Sequence, residues 1–152
     1  MHSTGPLRGR VGVITGADSE SGRHIAAALA AEGMSLMLIA QPGAHVREFA
    51  ERLAESHDIR CFPASLDVTD RDAVDRIVMH AEQHVGTIDL LVNTVPGRMT
   101  DALLPTMEQR GRGHIVNVEP APAAADDSAA VEVLNIAADA DADRAVLAFL
   151  TG

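Results

Sequence analysis

No lysine, tyrosine or tryptophan occurs anywhere in these 152 residues, and the only phenylalanines are Phe49, Phe62 and Phe149. A core with so few rings has to be packed from aliphatic side chains and alanine. The missing lysine and tyrosine remove two of the side chains that commonly serve as acids, bases or nucleophiles. Cys61 is the single cysteine, so no intrachain disulfide can form, which fits a reducing compartment. No apolar run approaches membrane-spanning length. The segment Met1–Arg10 lacks an apolar core and does not read as a signal peptide, so a cytoplasmic location is expected. All 12 basic residues are scattered arginines set against 22 acids, a net charge of −10. That balance disfavours nucleic acid and anionic membrane surfaces as partners.

What is present is an alternation of short apolar runs and amphipathic stretches. With 47% apolar residues the chain is expected to form one domain over residues 1–152. Val11–Thr15, Ser35–Ala40, Ile59–Ala64, Ile88–Asn93 and His114–Val118 read as strands. Helical spacing follows each of the first four: Ser21–Glu32, then Val46, Phe49, Ala50 and Leu53 up to His57, then the face Val74, Ile77, Val78, Ala81 and Val85, then about Asp101–Arg110. Gly33 and Gly86 stop two of these helices, and Thr69 with Asp72 three residues later is expected to cap the third. Pro120–Ala130 reads as a loop. After it, Val131–Ile136 is dense in β-branched residues and reads as a sixth strand before a helix over Asp139–Leu150. The rival is one long alanine-rich helix from Ser128. Strands alternating with helices imply a parallel sheet covered on both faces.

The segment Thr15-Gly16-Ala17-Asp18-Ser19-Glu20-Ser21-Gly22 places a glycine turn between a strand and a helix start, as a dinucleotide-binding fold does. Its spacing resembles the Thr-Gly-x-x-x-Gly-x-Gly turn of the short-chain dehydrogenase/reductase family. Leu66-Asp67-Val68-Thr69 is similar to that family's Asp-Val pair, and Ile88–Asn93 to the strand entering its Asn-Asn-Ala-Gly motif. Leu104–Met107 with Gly111–Val118, then Val131–Ala137 and Ala145–Leu150, follow the family's order to the end of the chain. The resemblance implies a doubly wound, Rossmann-type α/β sheet of five or six strands in the order 3-2-1-4-5, with the sixth outermost. It implies NAD or NADP as cofactor, with Thr15, Gly16, Ser19, Ser21, Gly22, Gln41, Asp67, Val68 and Asn93 at its binding site.

Departures from the family pattern weigh against its activity. The family's Tyr-x-x-x-Lys helix, whose tyrosine exchanges a proton with the substrate carbonyl, has no counterpart here. Glu119-Pro120 stands where the family has a serine, and the portion that bears its catalytic asparagine is absent from the short stretch between Asn93 and Leu104. The chain also stops at Gly152, in keeping with a shortened relative. Thr94, Val95 and Pro96 replace the end of the Asn-Asn-Ala-Gly motif, and Glu20 replaces the middle glycine. A carboxylate at position 20 would repel a pyrophosphate, so Glu20→Gly is expected to strengthen binding; its plainer role is to favour the helix start. Gln41 is neither the acid that grips a ribose 2′-hydroxyl nor the arginine that favours a 2′-phosphate, and Arg47 reads as a solvated helix residue.

Three lesser patterns carry less chemistry. His80 and His84 share a helix face but lack the zinc-protease interior, and read as a solvent-facing pair. Asp139-x-Asp141-x-Asp143 begins like a calcium loop, yet Arg144 and Leu150 replace its glycine and glutamate. Cys61 reads as an inert buried thiol, and His114 as a strand-end or core histidine. No catalytic and no metal-binding residue is therefore assigned. The expected function is a catalytically degraded family member with weak NAD(P) binding or an association role. The alternatives are an active NAD(P)-dependent oxidoreductase with another proton donor or a partner chain's, and a decayed remnant of a longer gene. The face over Ile115, Val116 and Val133 is expected to be poorly covered, which points to a homo-oligomer or a larger protein partner.

Overall fold

The computed structural model describes residues 7–118, 131–138 and 141–151. Six strands, β1 (Val11–Thr15), β2 (Ser35–Ala40), β3 (Cys61–Ser65), β4 (Leu90–Asn93), β5 (Gly113–Val118) and β6 (Val131–Ile136), form one sheet in the order β3-β2-β1-β4-β5-β6. Every neighbouring pair is parallel. Helices α1 (Glu20–Ala31), α2 (Arg47–His57), α3 (Arg71–His84), α4 (Met99–Arg110) and α5 (Ala142–Thr151) cover both faces. Hence β1 and β4 are buried throughout and β2 almost so, and their sequences are apolar without alternation.

Two apolar layers follow from the crossover hand. On one face Ile14, Leu36, Leu38, Leu90, Val92 and Val116 pack with α1, α2 and α5, through Ile25, Leu29, Leu53 and Val146. On the other, Val13, Met37, Ile39, Leu91 and Ile115 pack with α3 and α4, through Val74, Ala81, Leu103 and Met107. Right-handed connections place α1 and α2 together and α3 and α4 together, as their order along the chain requires.

Two expectations need correction. Ile115 and Val116 do not share a poorly covered face: neighbouring strand residues point to opposite sides, and both are 0% exposed. Only Val133 of that trio is half-buried. The cap of α3 is Asp70, whose carboxylate accepts from Asp72 N–H at 3.1 Å and Ala73 N–H at 3.4 Å. Thr69 instead turns its hydroxyl onto Asp67, which leaves the capping position to the next residue. The expected sixth strand is found: residues 131–136 pair along their whole length with β5, against the rival of a continuous helix from Ser128. The Pro120–Ala130 loop lies outside the described residues.

The sheet reverses its winding beside β1: β2 lies on one side of it and β4 on the other. Such a reversal opens a crevice beyond the carboxyl ends of the strands.

Candidate functional site

A cleft of about 460 Å³ occupies that crevice. Its size falls in the range of small-molecule sites. The turn after β1 contributes Gly16, Asp18 and Ser19; the end of β2 contributes Ile39 to Pro42; the segment after β3 contributes Leu66 to Thr69; and Val95 and Pro96 close it from β4.

The glycine turn is held by its own polar groups. Gly16 has φ +61°, a left-handed conformation that glycine adopts without strain. Its carbonyl accepts from Ser19 N–H at 2.9 Å and from the Ser19 hydroxyl at 2.6 Å. The same Ser19 oxygen accepts from Gly22 N–H at 3.0 Å and so caps α1. Gly22 lies so close under the turn that a Cβ there would run into the Gly16 carbonyl. Thr94 then ties β4 to the turn: its hydroxyl lies 2.7 Å from the Thr15 carbonyl and 3.1 Å from that of Gly16, while its N–H donates to the Thr15 hydroxyl at 3.3 Å. A Cβ on Gly16 would collide with that threonine hydroxyl and with Val95.

Of the residues expected at a cofactor site, Gly16, Ser19, Gln41, Asp67 and Val68 line the cleft. Thr15, Ser21, Gly22 and Asn93 do not. Thr15 is buried behind the turn, Ser21 is half-buried on α1, and Gly22 is the floor on which the turn rests. Asn93 points to the α4 side, where its amide donates to Thr100 Oγ1 at 2.9 Å and to Asn117 Oδ1 at 3.1 Å. Asn117 passes the pattern on, donating to Asn135 Oδ1 at 3.0 Å. The three asparagines are in register across β4, β5 and β6, a polar rung that fixes three strands.

Sequence reasoning missed Asp18. Glu20, which it singled out, is the exposed first residue of α1 and is not among the residues lining the cleft; that placement fits the helix-start role. The carboxylates that do line the cleft are Asp18 and Asp67. Asp67 accepts from the Thr69 hydroxyl at 2.6 Å and from Thr69 N–H at 2.9 Å, and these bonds hold its carboxyl below the usual range. The position of Asp18 between Gly16 and the capping Ser19 was the available signal.

The remaining titratable groups stand elsewhere. His114 is at the opposite, amino-terminal end of the strands, with Nε2 3.6 Å from Glu132 and its ring edge-on to Phe149 at 5.1 Å. Burial lowers its pKa, and the nearby Glu132 carboxylate only partly opposes this. Burial likewise pushes the Cys61 thiol up to about 12. The ring centroids of His80 and His84 lie 4.4 Å apart, the rings tilted by 39°, on an exposed helix face. Among the described residues no group of three histidine, cysteine or acidic side chains could hold a metal. Asp139 of the aspartate repeat lies outside the described residues. No helix among the described residues is long and apolar enough to cross a membrane.

A doubly wound parallel sheet with a glycine turn capping its first helix, and a cleft at the switch point, defines the Rossmann class of nucleotide-binding folds. The short chain dehydrogenase family model matches residues 10–98, and the chain belongs to that family. It is 25% identical over 142 residues to a short chain dehydrogenase of Pseudocercospora fijiensis, covering 75% of this chain and 46% of that protein. An uncharacterized oxidoreductase of Staphylococcus saprophyticus is 27% identical over 138 residues, covering 74% and 59%. Among solved structures, L-sorbose reductase from Gluconobacter frateurii, complexed with NADPH and L-sorbose, is similar at a TM-score of 0.66 and 28% identity, covering 74% of this chain and 52% of that one. The chain thus spans about half the length of the relatives it matches.

Proposed function

We propose that this chain, as a single domain over residues 1–152, keeps the nucleotide cleft of the short-chain dehydrogenases without their chemistry. It binds NAD(P) weakly through Gly16, Ser19, Gln41, Asp67 and Val68 and does not turn over carbonyls or alcohols. One observation carries the reading: β5 and β6 are neighbours joined only by residues 119–130, and neither this segment nor the rest of the chain contains a tyrosine or a lysine. General acid–base help is worth roughly 10²–10⁴-fold, and a family member without its proton donor forfeits it. The described cleft supplies no histidine in compensation, since its titratable side chains are the carboxylates of Asp18 and Asp67. Weak binding follows from the turn itself, where the amide of Gly22 and the hydroxyl of Ser19 are already engaged with each other.

The protein would then act through binding or through association, with a second copy or a larger protein, in the cytoplasm. The half-buried apolar residues Val133, Leu134 and Ile136 of the outermost strand support association. Calorimetric titration with NAD⁺ and NADH tests the binding claim: dissociation constants above the micromolar range are expected. Low-micromolar affinity would contradict weak binding, and no heat at any concentration would contradict a retained cleft.

A further inference from the structure

A second hollow, also of about 460 Å³, opens at the opposite, amino-terminal end of the strands. Arg8 and Arg10 line it from the entry to β1, Ser35 from the start of β2, and Asp58 and Arg60 from the entry to β3. Arginines far apart in the chain are gathered there by the parallel pairing of β1 with β2 and of β2 with β3. The lining thus holds three guanidiniums and one carboxylate, that of Asp58. Asp89, whose carboxylate accepts from Val11 N–H at 3.2 Å, lies 3.3 Å from Arg112 and 3.8 Å from Arg110 and so has cations of its own.

Backbone carbonyls at helix ends place two of the guanidiniums. Arg8 donates to the carbonyls of Asp58 at 2.7 Å and His57 at 3.3 Å, at the end of α2. Arg60 donates to that of His84 at 3.4 Å, at the end of α3. A guanidinium carries five N–H donors in a rigid fork, so this one long bond leaves most of the Arg60 fork for a ligand. Helix capping does not account for Arg10, whose side chain makes no hydrogen bond among the described residues. The Ser35 hydroxyl accepts from Arg60 N–H at 3.2 Å and still carries its own O–H. In a chain of net charge −10, such a concave cluster of cations matches a small polyanion at contact distance, where charge-assisted bonds are strong.

We propose that this hollow is an anion site separate from the nucleotide cleft. It takes a small molecule bearing two or more phosphate or carboxylate groups, held by Arg10 and Arg60 beside the anchored Arg8.

The test is calorimetric titration of the intact chain with pyrophosphate and with citrate, in sodium chloride buffers of matched ionic strength. Saturable binding of at least one of them is expected. Arg10→Gln and Arg60→Gln should each weaken it by about fivefold or more, since each removes charge-assisted bonds. Arg10→Gln leaves both helix ends capped, so its effect is not one of misfolding. Arg71→Gln, which removes the same charge from the exposed start of α3 at the other end of the sheet, should change affinity by less than about twofold. A response to pyrophosphate alone supports a phosphate ligand, and one to citrate alone a carboxylate. Binding of neither anion, undiminished binding in both hollow variants, or an equal loss in Arg71→Gln would overturn the site. None of these results touches the nucleotide reading, which the NAD⁺ and NADH titration tests by itself.

Discussion

At the residue scale, the absence of lysine and tyrosine gives Cys61 an unusual prominence. Arginine titrates above about 12 and the α-amino group near 8, so Cys61 is the one side chain whose ordinary range lies between them. In the folded chain its thiol is pushed up to about 12 by burial, from an ordinary value of 9.0. The unfolded chain therefore releases this proton first. Stability should hold below pH 9 and fall progressively as the pH rises from there towards 12. Denaturant melts at pH 8, 9.5 and 11 check this: Cys61→Ala should flatten the fall, and an unchanged slope would mean that the thiol is not responsible.

Thr94 is the residue on which the turn depends. It is 5% exposed and its hydroxyl meets the carbonyls of Thr15 and Gly16. Thr94→Val keeps the shape but removes the one O–H shared between the Thr15 and Gly16 carbonyls, of which Gly16 keeps its Ser19 donors, at a cost of about 1–2 kcal/mol. For a domain of this length that lowers Tm by roughly 2–4 °C per kcal/mol. Thr94→Ser, which restores the hydroxyl, should recover most of the loss; a Thr94→Val protein that melts with the wild type would show that the latch contributes little.

At the element scale, α3 and the asparagine rung make separable claims. Asp70→Ala removes the true cap of α3 and should destabilise the protein by about 1 kcal/mol in a urea melt. Thr69→Ala should leave the α3 cap intact, because its hydroxyl serves Asp67 rather than the helix. Asn117→Leu would leave the Asn93 amide and the Asn135 oxygen without each other's bridge, at about 1–3 kcal/mol, and should raise amide exchange in β5 and β6 before β2 and β3. Uniform exchange across the sheet would show that the rung fixes nothing locally.

The elements were largely legible in the sequence. Buried parallel strands are runs of apolar residues, and β1, β2 and β6 have the boundaries their composition implies. What stayed hidden were matters of a single residue's direction. Whether Thr69 or Asp70 caps a helix depends on the competing claim of Asp67, and whether Ile115 and Val116 share a face depends on which layer each meets. At the site the motif located the turn. It could not show that Asp18 rather than Glu20 faces the cleft, because that depends on where α1 begins.

At the scale of the whole molecule, the sheet and its switch-point cleft persist although β5 passes to β6 through residues 119–130 alone. On the proposed reading such a chain would present a nucleotide or a surface, with the half-buried apolar residues of β6 as the place for association. Light scattering over a hundredfold dilution is expected to show a concentration-dependent rise above the monomer mass of 16.0 kDa; a monomer throughout, with no binding of a hydrophobic dye, would remove association from the account. The central claim, a nucleotide cleft without the chemistry, is tested most directly by following NADH and NADPH absorbance with excess ketone, aldehyde and alcohol substrates. Wild type and Gly16→Val, in which a Cβ would intrude on Thr94 and Val95, should be indistinguishable from the uncatalysed rate. Steady multiple-turnover consumption by the wild type, lost in a folded Gly16→Val protein, would contradict it.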